Sequence, residues 1–91
     1  MIVDDLYYET FDGTTRAFLS NISDVLFDAV RLSDTAAFIY TVTYRDMADN
    51  TNMQVFKDEE NALGEYALLM GIIQDNLDNK DNVLGGKEDD I

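Results

Sequence analysis

The sequence predicts an α+β domain: an antiparallel sheet of four to five strands with one long C-terminal helix packed on a face. The first two thirds of the chain alternate at period two and are rich in β-branched and aromatic residues, which favour strands. The last third carries apolar residues at helical spacing. With 91 residues, of which 46% are hydrophobic, the chain suffices for one core and is too short for two.

Residues 36–44 (AAFIYTVTY) form the clearest strand. Phe38, Tyr40, Val42 and Tyr44 fall on one face at period two, and the opposite face is equally free of charge. Such a strand belongs in the middle of a sheet, with something covering each side. A chain of 91 residues has few residues left to cover both faces of the sheet.

Two hairpins and a short strand complete the predicted sheet. The first hairpin spans 5–20, with Asp12-Gly13 as a type I′ turn, although a helix beginning at Thr14 is an alternative. The second spans 25–44, and a short strand over 53–57 pairs back on 36–44. The segment 22–32 suits a strand or a short helix capped by Ser23, and the strand is favoured.

The helix is predicted over 58–77. Asp58 can accept hydrogen bonds from the first free N–H groups, and Glu59 and Glu60 suit the positive end of the helix dipole. The predicted packing stripe consists of Leu63, Tyr66, Ala67, Met70, Ile73 and Leu77. A weaker second stripe contains Leu68 and Ile72. Together these elements form a single domain over 1–78, followed by a flexible acidic tail over 79–91.

Charge is the strongest compositional signal, because 19 acidic residues against 6 basic ones give a net charge of −13. Direct binding to nucleic acid or to an anionic membrane is disfavoured, since both need clustered Lys and Arg. Three explanations of the acidity are open: plain solubility, adaptation to salt, and mimicry of nucleic acid that suits a basic protein partner. Mimicry with a basic partner is favoured. Without a signal-like N-terminal segment, the expected location is the cytoplasm of a host cell.

The residue types needed for most catalytic sites are missing. The chain has no Cys and no His, which excludes thiol and imidazole chemistry and every Cys/His metal site. The Asp- and Asn-rich segments lack the register of a calcium loop, and no pair of acids is placed for acid–base catalysis. The sequence therefore predicts a non-enzymatic protein with no catalytic residues, no metal and no cofactor.

The chain resembles the small acidic inhibitors that phages encode against host nucleases, such as anti-CRISPR and anti-restriction proteins. The resemblance rests on size, acidity and the lack of Cys and His. It implies a stoichiometric inhibitor that blocks the nucleic-acid-binding surface of a nuclease, by mimicking nucleic acid.

The predicted partner is accordingly a basic host protein, a nuclease or another nucleic-acid-binding protein. Its predicted binding residues are acids that supply charge and tyrosines that act as anchors: Asp46, Asp49, Glu59, Glu60, Glu65, Asp75 and Asp78, with Tyr7, Tyr44 and Tyr66. Five Tyr and five Phe exceed what one helix on one sheet face can cover. The alternative function is therefore a structural or assembly protein that forms a homodimer through an aromatic sheet face.

Overall fold

The computed structural model describes residues 1–34 and 36–89, with side chains as far as residue 79. Five strands form two antiparallel sheets, and one helix packs against the larger sheet, which confirms the α+β prediction. The elements are β1 (Tyr7–Glu9), β2 (Arg16–Phe18), a 3-10 turn (Leu19–Asn21), β3 (Ile22–Arg31), β4 (Phe38–Asp46), β5 (Thr51–Phe56) and α1 (Glu59–Asp89). β1 and β2 form a separate two-stranded sheet.

β4 is the central strand of the three-stranded sheet, between β3 and β5. Both pairings are antiparallel, and Phe27, Val42 and Gln54 lie opposite one another across the three strands. The segment 22–32, for which the sequence allowed a strand or a short helix, is thus a strand as far as Arg31, and the favoured prediction is confirmed. Its β-branched and aromatic residues pair along nearly the whole length of β4, which no short helix would allow.

The aromatic face of this sheet lies beneath α1. Phe27 of β3 contacts both Tyr40 of β4 and Tyr66 of α1, with ring centroids 6.2 and 5.9 Å apart. The face that is uncovered is aliphatic: Leu26, Met53 and Val55 are each at least 60% exposed. We call this the outer face. The idea of an exposed aromatic sheet face is therefore wrong, because the helix packs on the larger side chains.

The helix begins as predicted, with Asp58 as its cap. Asp58 Oδ1 accepts a hydrogen bond from the Glu60 N–H at 3.1 Å, and its carbonyl accepts one from the Ala62 N–H at 3.1 Å. The helix continues past the predicted end at residue 77 to Asp89. The predicted tail, 79–91, thus begins within this helix, and its side chains after residue 79 lie outside the described residues.

The packing face of α1 differs from the predicted stripe. Leu63, Met70 and Leu77 are exposed. The buried positions lie on an adjacent stripe, made of Ala62, Glu65, Leu69 and Ile72. The predicted stripe is therefore wrong for these three residues, whereas its Tyr66 and Ile73 pack against the core, as do Leu68 and Ile72 of the weaker second stripe. Glu65, a charged residue, occupies the centre of the buried face and hides its apolar periodicity.

The β1–β2 connection also differs from the predicted two-residue turn. Strand pairing ends at Glu9 and resumes at Arg16, and within the connection only Gly13 has a positive φ, of 78°. Asp12 Oδ1 accepts hydrogen bonds from the hydroxyls of Thr10 and Thr14, at 2.7 and 2.8 Å. These bonds lower the pKa of Asp12 and stabilise a longer loop than a type I′ turn.

Candidate interaction surface

A buried polar cluster fixes the small β1–β2 sheet to the rest of the protein. The Tyr8 side chain is completely buried, and its hydroxyl donates a hydrogen bond to Glu65 Oε2. Gln54 Nε2 donates to the same hydroxyl at 2.9 Å, while Gln54 Oε1 accepts from the Phe11 N–H at 2.7 Å. β1, β5 and α1 are thereby joined through three side chains, so the hairpin has a defined position.

The electrostatics of this cluster favour the neutral phenol. Burial raises the pKa of Tyr8, and the hydrogen bond to Glu65 raises it further. The phenol therefore stays protonated at neutral pH and can donate to the carboxylate. The Met1 amino group lies 3.7 Å from Glu65 Oε1, although burial lowers the pKa of this amine.

Three residues predicted to bind a partner lie in or against this core. Glu65 is only 6% exposed and Tyr44 only 4%. Tyr44 packs edge-on against Tyr8, with ring centroids 5.7 Å apart, and burial raises its pKa, with a further contribution from Asp46. Tyr66 is half-buried against Phe27. Glu65 lines neither cleft of the surface described below, whereas the small exposed part of Tyr44 lines the cleft beside Tyr7 and Phe18.

Three separate elements meet at one end of the molecule. Asn76 of α1 donates its side-chain amide hydrogens to the carbonyls of Leu19 and Ile22, at 2.8 and 2.9 Å. The Met47 N–H, in the β4–β5 turn, donates to the Asn21 carbonyl at 2.9 Å. We call this region the hairpin end: the β1–β2 sheet with the segment before it, the 3-10 turn, the β4–β5 turn and residues 72–79 of α1.

An aromatic pair of one half-buried and one exposed ring lies at the hairpin end beside two clefts. Tyr7 and Phe18 are stacked, with ring centroids 4.8 Å apart, and Phe18 is 48% exposed. The first cleft, of about 330 Å³, is lined by both rings and by Asp46. The second, of about 260 Å³, is lined by Phe18, Asp5 and Asp75 among others. Each cleft therefore combines an aromatic ring with at least one carboxylate, and the first also contains Arg16, which is paired with Glu9.

The structure brings only some of the predicted acids to the hairpin end. Asp46 and Asp49 belong to the β4–β5 turn, where Asp46 Oδ1 accepts from the N–H groups of Ala48 and Asn50 at 2.9 Å. Asp75 and Asp78 are exposed on α1 next to Asn76. Glu59 and Glu60 are exposed at the start of α1, which follows β5 at the opposite end of the sheet. Of the predicted tyrosines, Tyr7 lies at the hairpin end, and Tyr44, although only 4% exposed, lines the first cleft beside it.

Sequence reasoning missed Asp5, Leu6 and Phe18 as members of this surface. A signal was present, because Asp5 and Leu6 lie in an acidic N-terminal segment that has no basic residue before Arg16. Phe18 pairs directly with Tyr7 across the hairpin, so an aromatic cross-strand pair marks the position.

Basic residues near this end are already paired. Arg16 Nε lies 3.0 Å from Glu9 Oε2, and an Arg45 Nη atom lies 3.1 Å from Asp24 Oδ2. Within residues 1–79, no ion pair involves Asp5 or Asp75. The same part of the chain contains no group of three acids that could hold a metal ion. The hairpin end is thus an anionic and aromatic surface.

No family model, curated protein or solved structure matches this chain. No helix within the described residues is both long and apolar enough to cross a membrane.

Proposed function

We propose that this chain is a non-enzymatic inhibitor that binds the basic, nucleic-acid-binding surface of a partner protein through its hairpin end. The partner is a nuclease of the kind that the resemblance implies, such as a restriction or RNA-guided nuclease. The observation that carries the proposal is the stacked Tyr7–Phe18 pair beside two clefts that carry carboxylates.

This arrangement supplies the groups that a nucleic-acid strand supplies. Proteins bind single strands through cations that contact phosphates and through side chains that stack on bases. At the hairpin end, the carboxylates of Asp46 and Asp75 take the place of phosphates, and the Phe18 ring takes the place of a base. The net charge of −13 would also speed the encounter with a basic surface.

The first test measures DNA cleavage by purified restriction and RNA-guided nucleases in the presence of the chain. We expect cleavage by the partner nuclease to stop at about one chain per enzyme, and excess DNA to relieve the inhibition. Because the contacts are ionic, the inhibition should weaken as salt rises from about 0.05 to 0.5 M. Absence of inhibition across the nucleases, or inhibition that ignores both salt and DNA, would contradict the proposal.

Matched variants locate the surface. Asp46→Asn/Asp75→Asn should raise the inhibitory concentration about tenfold, because each exposed ion pair contributes up to about 1 kcal/mol. Asp28→Asn/Asp34→Asn makes the same change in charge away from the hairpin end and should change it less than about twofold. Equal effects of the two variants would show that total charge acts, rather than this surface.

The outer face favours a second candidate function, self-association of two copies. Leu26, Met53 and Val55 form an exposed aliphatic surface. Its acids, Asp24 and Asp28, lie on the β3 side, while the paired positions of β4 and β5 carry none. In a chain this acidic, two copies repel each other elsewhere, so the part of this face on β4 and β5, which carries no acid, is where they can approach. A homodimer through this face is the specific form of this candidate.

Sedimentation at about 10 to 200 µM tests this second candidate. The expected result is a dimer that Val55→Glu converts to a monomer, because the substitution places a charge in the apolar contact. Leu63→Glu, on the exposed side of α1, is the matched control and should leave the dimer intact. A wild-type chain that stays monomeric over this range removes the candidate.

A further inference from the structure

We infer that the second cleft at the hairpin end binds an arginine side chain of the partner. We call this cleft the Asp5–Asp75 groove. The inference rests on the proposed function and deepens it, because it names the group on the partner that the surface recognises.

The size of the groove fits one long side chain. Its volume is about 260 Å³, just below the roughly 300–1,000 Å³ of pockets that hold drug-sized ligands. The apolar lining includes Leu6, Phe18 and the buried Ile72. The carboxylates come from two different segments, Asp5 from the chain before β1 and Asp75 from α1.

The charged groups of the groove select a cation over an anion, since Ser20 and Asn79, which also line it, are neutral. Asp5 and Asp75 are exposed carboxylates with no ion-pair partner within residues 1–79. Asn76, a third lining residue, already donates both hydrogens of its side-chain amide to the carbonyls of Leu19 and Ile22. It therefore has no amide hydrogen left for an anionic ligand, and the charged groups of the groove are acceptors.

The mixture of carboxylate and aromatic ring selects arginine among cations. A guanidinium is planar and weakly hydrated, so it can stack on the Phe18 ring while its N–H groups donate to a carboxylate. Its methylene groups can pack against Leu6. A lysine ammonium is compact and strongly hydrated and gains less from the ring. A calcium ion needs six to eight oxygen ligands, more than two carboxylates beside an apolar surface supply.

Three short peptides provide the probe: acetyl-Gly-Gly-Xaa-Gly-Gly-amide, with arginine, lysine or citrulline as Xaa. Citrulline keeps the shape of arginine and lacks its charge. We follow each titration by the backbone amide shifts of the isotope-labelled protein. The arginine peptide should bind saturably in the millimolar range and shift the groove amides. The lysine peptide should bind at least about threefold more weakly, and the citrulline peptide should show no saturable binding.

Variants then assign the binding to this groove. Asp5→Asn/Asp75→Asn should weaken binding of the arginine peptide about tenfold, because both charged acceptors are lost. Asp28→Asn/Asp34→Asn, with the same change in charge, should weaken it less than about twofold. Saturable binding of the citrulline peptide, or equal effects of the two variants, would overturn the inference.

The peptide titrations and the cleavage assays distinguish an error in the groove inference from an error in the proposed function. If the arginine peptide binds the groove as expected and no nuclease is inhibited, the proposed function is wrong and the groove remains an arginine site. If a nuclease is inhibited equally by the wild-type chain and by Asp5→Asn/Asp75→Asn, the inhibitor proposal holds and the groove inference is wrong.

Discussion

Leu69→Ala is expected to lower the free energy of unfolding by about 3 kcal/mol, within the 2–5 kcal/mol typical of buried leucines. The Leu69 side chain is completely buried between α1 and the sheet. Its removal loses the transfer free energy of the side chain and leaves a cavity that rigid neighbours fill only in part. Because the protein has 91 residues, the melting temperature should fall by about 15 °C.

Urea unfolding followed by circular dichroism measures this change. Leu77→Ala is the matched control, since Leu77 lies on the same helix and is 51% exposed. It should cost less than about 0.5 kcal/mol. The two leucines belong to the two competing stripes of α1, so the comparison decides which stripe faces the core. A larger loss from Leu77→Ala would favour the stripe predicted from sequence.

Glu65→Ala is expected to lower the free energy of unfolding by about 2 to 3 kcal/mol. The substitution leaves the buried Tyr8 hydroxyl without its acceptor, and an unsatisfied buried donor costs about 1–3 kcal/mol. The contact also joins β1 to α1, so the hairpin loses one of its fixed points. Glu65→Gln keeps an oxygen that can accept from Tyr8 and should cost less. Glu60→Ala, an exposed control on the same helix, should change stability by about 0.5 kcal/mol or less.

A double-mutant cycle with Tyr8→Phe isolates the contact. If Tyr8 and Glu65 act together, the combined loss should be smaller than the sum of the single losses by about 1 to 2 kcal/mol. Additive losses would show that the hydrogen bond contributes little and that Glu65 acts through another partner, such as the Met1 amino group.

Local patterns predicted the elements better than they predicted the surfaces. Alternation along 36–44 and the capping signal of Asp58 led to a central strand and to the helix start, because both depend on neighbouring residues in the chain. The face of α1 depends on a partner 57 residues away, since Tyr8 is what makes Glu65 compatible with burial. From the sequence alone a carboxylate is predicted to be solvent-exposed, because the local pattern does not show the buried donor that pairs with it.

The candidate site was also predicted only where it depends on neighbouring residues in the chain. The sequence placed acids near the β4–β5 turn and on the helix, and it included Tyr7. It had no means of showing that Asn76 brings the later part of α1 to the 3-10 turn, while Glu59 and Glu60 stay at the opposite end. Phe18 became part of the surface because the hairpin is a separate small sheet, which leaves its aromatic pair partly uncovered.

β3 is an edge strand of its sheet, and this position affects the tendency of the protein to aggregate. Within the described residues, β3 pairs with β4 on one side only, and it is ten residues long. The free edge of a strand of this length is a template for fibre growth, because strands of other chains can pair with it. Asp24 and Asp28 alternate with Leu26 along this strand, so an incoming copy would set carboxylates beside carboxylates. The acidity of the chain therefore also opposes aggregation at this edge of the sheet.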